Sequence, residues 1–229
     1  MAGRKPDPRT LADLALAELR EDIVSGVATP GSPIRLSKYI EQLQMSAVPI
    51  REALRFLEQR GLIDRSPHRG VFVANMSAHD LADTYRIRME LESLAVRGAA
   101  EHMTDEARES LKALVTEYRE ATMSGATPLT RELHERLHME LYSLSDSKWL
   151  TLLLPVLWDN SERYRRLSLP RRGSPEKRVA EHVALVDACI AGDPDLAEKV
   201  LRKHLGNSLE AAIVSLQSLE DPEVAGSTV

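Results

Sequence analysis

The sequence predicts a mainly α chain in two parts, an N-terminal winged helix-turn-helix and a C-terminal all-helical bundle of about six helices. Three observations lead there. Aromatic residues make up only 4% of the chain while Ala, Leu, Glu and Arg are abundant, a composition that favours helices over sheets. Strand-favouring runs stand out in one place, LIDRS and VFVAN on either side of the turn sequence PHRG. From Ser77 onward turn signals cut the chain into six segments with no convincing strand among them.

The first helix is expected to start after Thr10, a good N-cap, and to run through LADLALAELREDIVSG to a stop at Gly26. Leu11, Leu14, Ala15, Leu19, Ile23 and Val24 form its apolar stripe. After the turn ATPGSP, a short helix over about 37–43 leads by a three-residue turn to a third helix. Ser46 is the N-cap of that third helix, and Pro49 is tolerated in its first turn. Its spacing buries Ile50, Ala53, Leu54 and Leu57 and turns Ala47, Val48, Arg51 and Arg55 outward. The hairpin follows, with His68 and Arg69 beside Gly70 at its tip. Three helices and a hairpin make a winged helix, and a basic third helix with a basic hairpin tip is where such a unit touches DNA.

Six further helices are expected at about 77–102, 104–124, 128–144, 147–168, 175–191 and 194–218. The breaks fall at His102 to Thr104, Gly125 to Pro128, Ser145 to Ser147, Pro170 to Pro175 and Gly192 to Pro194. This gives a DNA-binding part over 1–75, a helical bundle over 76–219 and a frayed tail over 220–229.

Charge supports the division. Residues 1–75 hold 11 Lys and Arg against 9 Asp and Glu, a net of +2, which leaves −7 for the rest of a chain whose total is −5. A slightly basic front and an acidic back point to different partners. No apolar run approaches the roughly 18 residues of a membrane span, and MAGRKPDPRT lacks the apolar stretch of a secretory signal, so the expectation is a cytoplasmic protein with no membrane partner. Cys189, the single cysteine, has no internal disulfide partner, and Val186 and Ile190 beside it suggest a small core residue.

The segment RELHERLHMELY contains HERLH, residues 134–138, which fits the zinc-protease pattern His-Glu-x-x-His. Four residues apart on one helix, His134 and His138 lie on the same face, within reach of one metal ion. His182 and His204 fall on two other predicted helices, each beside an apolar stripe, so four of the chain's seven histidines gather on three helices of one bundle. A metal site built by facing helices is one reading, and satisfied core histidines are another. The protease reading needs a sheet edge beside the helix, Glu135 as general base and an open metal position, and this bundle offers no strand.

The run PGSPIRLSKYIEQLQMSAVPIREALRFLEQRGLIDRSPHRGVFVANM resembles the DNA-binding domain of GntR-type bacterial transcription regulators. Pro30, Gly31, Ile34, Leu43, Ser46, Pro49, Arg51, Glu52, Ala53, Leu54, Leu57, Gly61, Leu62, Gly70 and Val73 carry the likeness. DLADTYRIRMELESLAVRGAA and EHVALVDACIAGDPDLAEKVLRKHL resemble the first and last helices of the FCD-type effector domain of the FadR subgroup. That domain is an all-helical bundle which in many members holds a divalent metal beside a small carboxylate effector. The resemblance covers roughly residues 10–215. It implies metal ligands at His134, His138, His182 and His204, with His134 standing where relatives carry Asp. Four imidazoles suit zinc or nickel, and the lost carboxylate leaves the site one unit more positive. Arg88, at a typical Arg-x-x-x-Glu position, is implied as the partner of an effector carboxylate; an intrahelical ion pair with Glu92 is the alternative.

On the DNA side the family's usual Arg after Ser46 is Ala47, followed by Val48, and both could touch a thymine methyl. Arg51 and Arg55 remain, with Arg35, Lys38, Arg65, His68 and Arg69 as phosphate contacts. The whole reads as a ligand-responsive homodimeric regulator of a palindromic operator. The rivals are a metal-dependent hydrolase using HERLH and a metal-free helical dimerisation domain.

Overall fold

A computed structural model describes residues 10–67 and 69–220, which divide into two compact units between Met76 and Ser77. The tail expected over 220–229 and the wing residue His68 lie outside the described residues, Glu220 excepted as the last residue of its helix.

The first unit holds α1 (Leu11–Ser25), α2 (Leu36–Leu43), α3 (Ala47–Gln59), β1 (Ile63–Ser66) and β2 (Gly70–Val73). Thr10 caps α1 reciprocally: its hydroxyl accepts from the Asp13 N–H, and the Asp13 carboxylate accepts from the Thr10 N–H at 2.8 Å. Gly26 ends the helix at φ 83°, a left-handed conformation that glycine adopts at no steric cost. Ala15, Leu19, Ile23 and Val24 are buried, but Leu11 is 58% exposed: it occupies the first turn, beyond the reach of the core, so the expected stripe begins a turn later. α3 buries Ile50, Ala53, Leu54 and Leu57 against α1 and keeps Val48, Arg51 and Arg55 at the surface. β1 and β2 pair antiparallel from Ile63 opposite Val73 to Ser66 opposite Gly70, and Pro33 bridges to Phe72 on the outer edge. Tyr39, almost fully buried, donates to Asp22 at 2.8 Å and ties α2 to α1.

The second unit holds α4 (Ala78–Glu101), α5 (Asp105–Ser124), α6 (Thr127–Ser143), α7 (Lys148–Ser168), a single 3-10 turn (Leu169–Arg171), α8 (Pro175–Ile190) and α9 (Pro194–Glu220). No strand occurs among the described residues here. Side chains of Ser77, Thr104, Ser147 and Ser174 cap α4, α5, α7 and α8. Pro175 and Pro194 sit at the first positions of α8 and α9, where a missing N–H costs nothing. α4 is the central helix, packed against α6, α7, α8 and α9. Gly98 permits a close approach, since a Cβ there would lie 2.9 Å from the Ser145 Cα. Cys189 is fully buried and burial pushes its thiol up to about 12, consistent with an inert core residue.

Candidate metal and effector site

Helical spacing puts His134 and His138 on the inner face of α6, while α8 and α9 aim His182 and His204 at the same point. All four imidazoles are buried, and one ligand atom from each lies within 4.8 Å of the others. Ring centroids are 4.8 Å apart for His134 and His138 and 4.7 Å for His182 and His204.

The hydrogen-bond partners fix three of the tautomers. His182 Nδ1 lies 2.7 Å from the Arg178 carbonyl oxygen, which only accepts, so the proton is on Nδ1. His204 Nδ1 donates to the Glu181 carboxylate at 3.1 Å. His138 Nδ1 donates to the Tyr142 hydroxyl at 2.9 Å, because that hydroxyl spends its own proton on Glu92. Each ring therefore turns an Nε2 lone pair toward the cluster. His138 Nε2, His182 Nε2 and His134 Nδ1 are buried with no hydrogen-bond partner in the protein. Orphaned ring nitrogens of this kind are costly, and at His138 and His182 the orphan is a lone pair that a cation could take.

Burial is the main cause that pushes all four imidazoles below their usual pKa. The Arg165 charge adds to it at His134, and the neighbouring imidazoles add to it at His138 and His182. Neutral rings with converging lone pairs are the form that binds a divalent cation. Outer partners are also in place: a backbone carbonyl behind His182, a carboxylate behind His204 and a hydroxyl–carboxylate chain behind His138. The donor set fits a metal that prefers imidazole.

The cluster forms one wall of a cavity of about 110 Å³, to which α4, α5, α6, α7, α8 and α9 all contribute. At roughly 10–15 Å³ of such space per water, this is room for a small molecule. Arg88, Arg131, Arg165, Arg172 and Arg178 line it. Arg88 Nε donates to Glu92 at 2.5 Å and its other arm donates to Ser161 at 2.8 Å. Arg165 makes a two-pronged pair with Glu162 at 2.5 and 2.6 Å, and Arg172 meets Glu181 at 2.6 Å. Burial opposes the charge on Arg88, but the Glu92 charge and hydrogen bond together with Tyr85 and Tyr142 outweigh it and keep the guanidinium protonated. Burial alone would raise the Glu181 carboxyl, but the His204 bond and the Arg172 charge bring it down to about 2. Five arginines against three glutamates leave the walls positive. Tyr85 Oη and Trp158 Nε1 also line the cavity, both buried donors with no partner in the protein.

Thus the four histidines and Arg88 come together at one cavity, and Arg88 makes the Glu92 pair as well. Glu135 is half-buried and outside the cavity lining, so HERLH lacks the base a protease needs. Tyr142 and Glu181 escaped the sequence reading, although Tyr142 follows His138 by four residues and Glu181 adjoins His182 in the chain. Trp158, Arg165 and Arg172 gave no signal.

In the first unit Val48 is 64% exposed, Ala47 is half-buried, and Arg35, Ser46, Arg51, Arg55, Arg69 and Gly70 are exposed. Arg51, Arg55 and Arg65 line one groove beside Glu58, which accepts from Arg65 at 3.0 Å. Lys38 is drawn to Asp22 at 3.3 Å. Gly70 takes φ 97° where the hairpin turns into β2.

Comparison with known proteins bears on both units. Residues 11–73 match the family model described as bacterial regulatory proteins, gntR family, and residues 83–207 match the FCD domain. The chain is 28% identical over 209 residues to the HTH-type transcriptional regulator BphR of Paraburkholderia xenovorans, covering 88% of this chain and 84% of BphR. It is 27% identical over 187 residues to the HTH-type transcriptional repressor RspR of Escherichia coli, covering 82% of each. Among solved structures, E. coli McbR/YncC superposes with a TM-score of 0.77 at 22% identity, covering 92% of this chain and 99% of the other.

Proposed function

This chain belongs to the GntR family of bacterial regulatory proteins and carries an FCD domain, and from that premise we propose that it is a homodimer whose grip on a palindromic operator responds to a small carboxylate held beside a divalent metal. It is a DNA-binding transcription regulator and not an enzyme. On this reading residues 1–75 bind DNA, while residues 76–219 hold the metal and effector and pair the protomers.

The observation that carries the metal reading is the convergence of four buried, neutral imidazoles, three of them with an unpartnered ring nitrogen, on the wall of an arginine-lined cavity. His134, His138, His182 and His204 would hold zinc or nickel, which when bound supplies positive charge and an open position for a carboxylate oxygen. Arg88 reaches the same cavity and would pair with the other carboxylate oxygen or a second acidic group. In the first unit Arg51 and Arg55 would grip the major groove with Ser46, Ala47 and Val48. Arg35, Lys38, Arg65, His68, Arg69 and Gly70 would follow the phosphates. The effector acts by binding two spacings of the paired recognition helices unequally.

The test is thermal melting of EDTA-treated protein with zinc or nickel added back, followed by a panel of two- to six-carbon mono- and dicarboxylates. Metal should raise the melting temperature, and some acid should raise it further only when metal is present. A protein that purifies without stoichiometric metal and melts unchanged in zinc and nickel contradicts the metal reading.

A further inference from the structure

Ten consecutive residues of α7, Trp149 to Trp158, contain no charged side chain. One face does what a bundle helix must and buries Leu150, Leu154 and Trp158. The other presents Trp149, Leu152 and Leu153 at spacings of three and four, exposed by 68%, 53% and 46%. α4 runs antiparallel beside this helix: Ser77 bonds Tyr164, Arg88 bonds Ser161 and Gly98 abuts Ser145. That register brings Leu94, 58% exposed on α4, level with the first turns of α7.

We infer that this face is where a second copy of the chain docks, α7 against α7, an inference that rests on the homodimer proposed above. Two features single out the occupant. In a two-fold interface each patch must match itself, and an uncharged apolar face does so without like-charge conflict. It offers nothing to DNA or to an acidic or basic partner. The area is that of an interface centre: the four side chains leave roughly 400 Å² of apolar surface, about half of the ~800 Å² that each partner of a standard-size interface buries, with a polar rim to supply the rest. A helix that lay on a lipid surface would carry Lys or Arg along its polar face, and this window has none.

The test is sedimentation equilibrium of the full chain and of Leu152→Glu/Leu153→Glu, with helix content followed by circular dichroism. Val214→Glu, at an apolar position 46% exposed on α9, is the control. The wild type and the control should sediment at twice the 25.5 kDa chain mass. The double variant should sediment at the single mass, its dimer dissociation constant raised about 100-fold or more by buried charge. Trp149→Lys serves the same purpose if the double variant loses helix content. A folded double variant that stays dimeric, or a control that dissociates equally, overturns the inference and leaves the homodimer standing. A wild type that is monomeric throughout overturns both. Binding to phosphatidylglycerol vesicles that the double substitution abolishes, with no change in mass, overturns the inference in favour of a lipid surface.

Discussion

Glu92→Leu isolates the pair on which the cavity's inner end depends. The Glu92 carboxylate accepts from Arg88 Nε at 2.5 Å and from the Tyr142 hydroxyl, and the Arg88 and Glu92 side chains are only 4% and 2% exposed. Removing one partner of a buried ion pair strands the other charge, at a cost of about 3–5 kcal/mol. The lost Tyr142 bond adds about 1 kcal/mol. Each kcal/mol moves the melting temperature of a domain of ~150 residues by roughly 2–4 °C, so the drop should be roughly 8–24 °C in scanning calorimetry. Arg88→Met alone should also destabilise, whereas Arg88→Met combined with Glu92→Leu should recover most of the loss, because the double change leaves no buried charge behind. The recovered variant also separates the two roles of Arg88: it should fold and yet lose the carboxylate-induced shift if Arg88 anchors the effector. A Glu92→Leu protein within 1 °C of the wild type, or a double variant no better than the worse single one, would refute this account of the pair.

Two helical glycines should respond in opposite directions. Gly98→Ala drives a Cβ to 2.9 Å from the Ser145 backbone and should cost about 1 kcal/mol or more net in urea unfolding, while Gly206→Ala, with nothing within 4 Å, should stabilise by up to ~1 kcal/mol. Arg35→Ala and Arg69→Ala should each weaken binding to a 30-base-pair duplex and lower the slope of log affinity against log salt by about 1 in fluorescence anisotropy, with an unchanged slope counting against a phosphate contact. Cys189, with its thiol pushed up to about 12, is almost wholly protonated at pH 8. It should resist iodoacetamide in the native protein and react after unfolding in urea, as read by mass spectrometry, and rapid native alkylation would show an accessible site instead.

Element boundaries were legible to within a residue or two because local chemistry sets them. Thr10 and Ser77 carry caps, Gly26 and Gly125 end helices at φ 83° and 74°, and Pro175 and Pro194 open helices. The four histidines were legible because each lies beside an apolar stripe on its own helix. The rest of the cavity wall depends on tertiary approach: Arg165 and Arg172 reach it from the far end of α7 and the turn after it, with nothing in their local sequence to mark them. Exposure is equally tertiary. Leu11 and Leu152 sit in helical patterns as apolar as those of buried leucines, and only the packing of neighbours shows that no other described residue of the chain covers them.

The account turns on the four imidazoles acting as one ligand set. Zinc X-ray absorption on the protein reconstituted with one equivalent of metal should show four nitrogen donors from imidazole at about 2.0–2.1 Å, falling to three in His134→Ala. A shell of oxygen donors without imidazole scattering, or a spectrum that His134→Ala leaves unchanged, would contradict it.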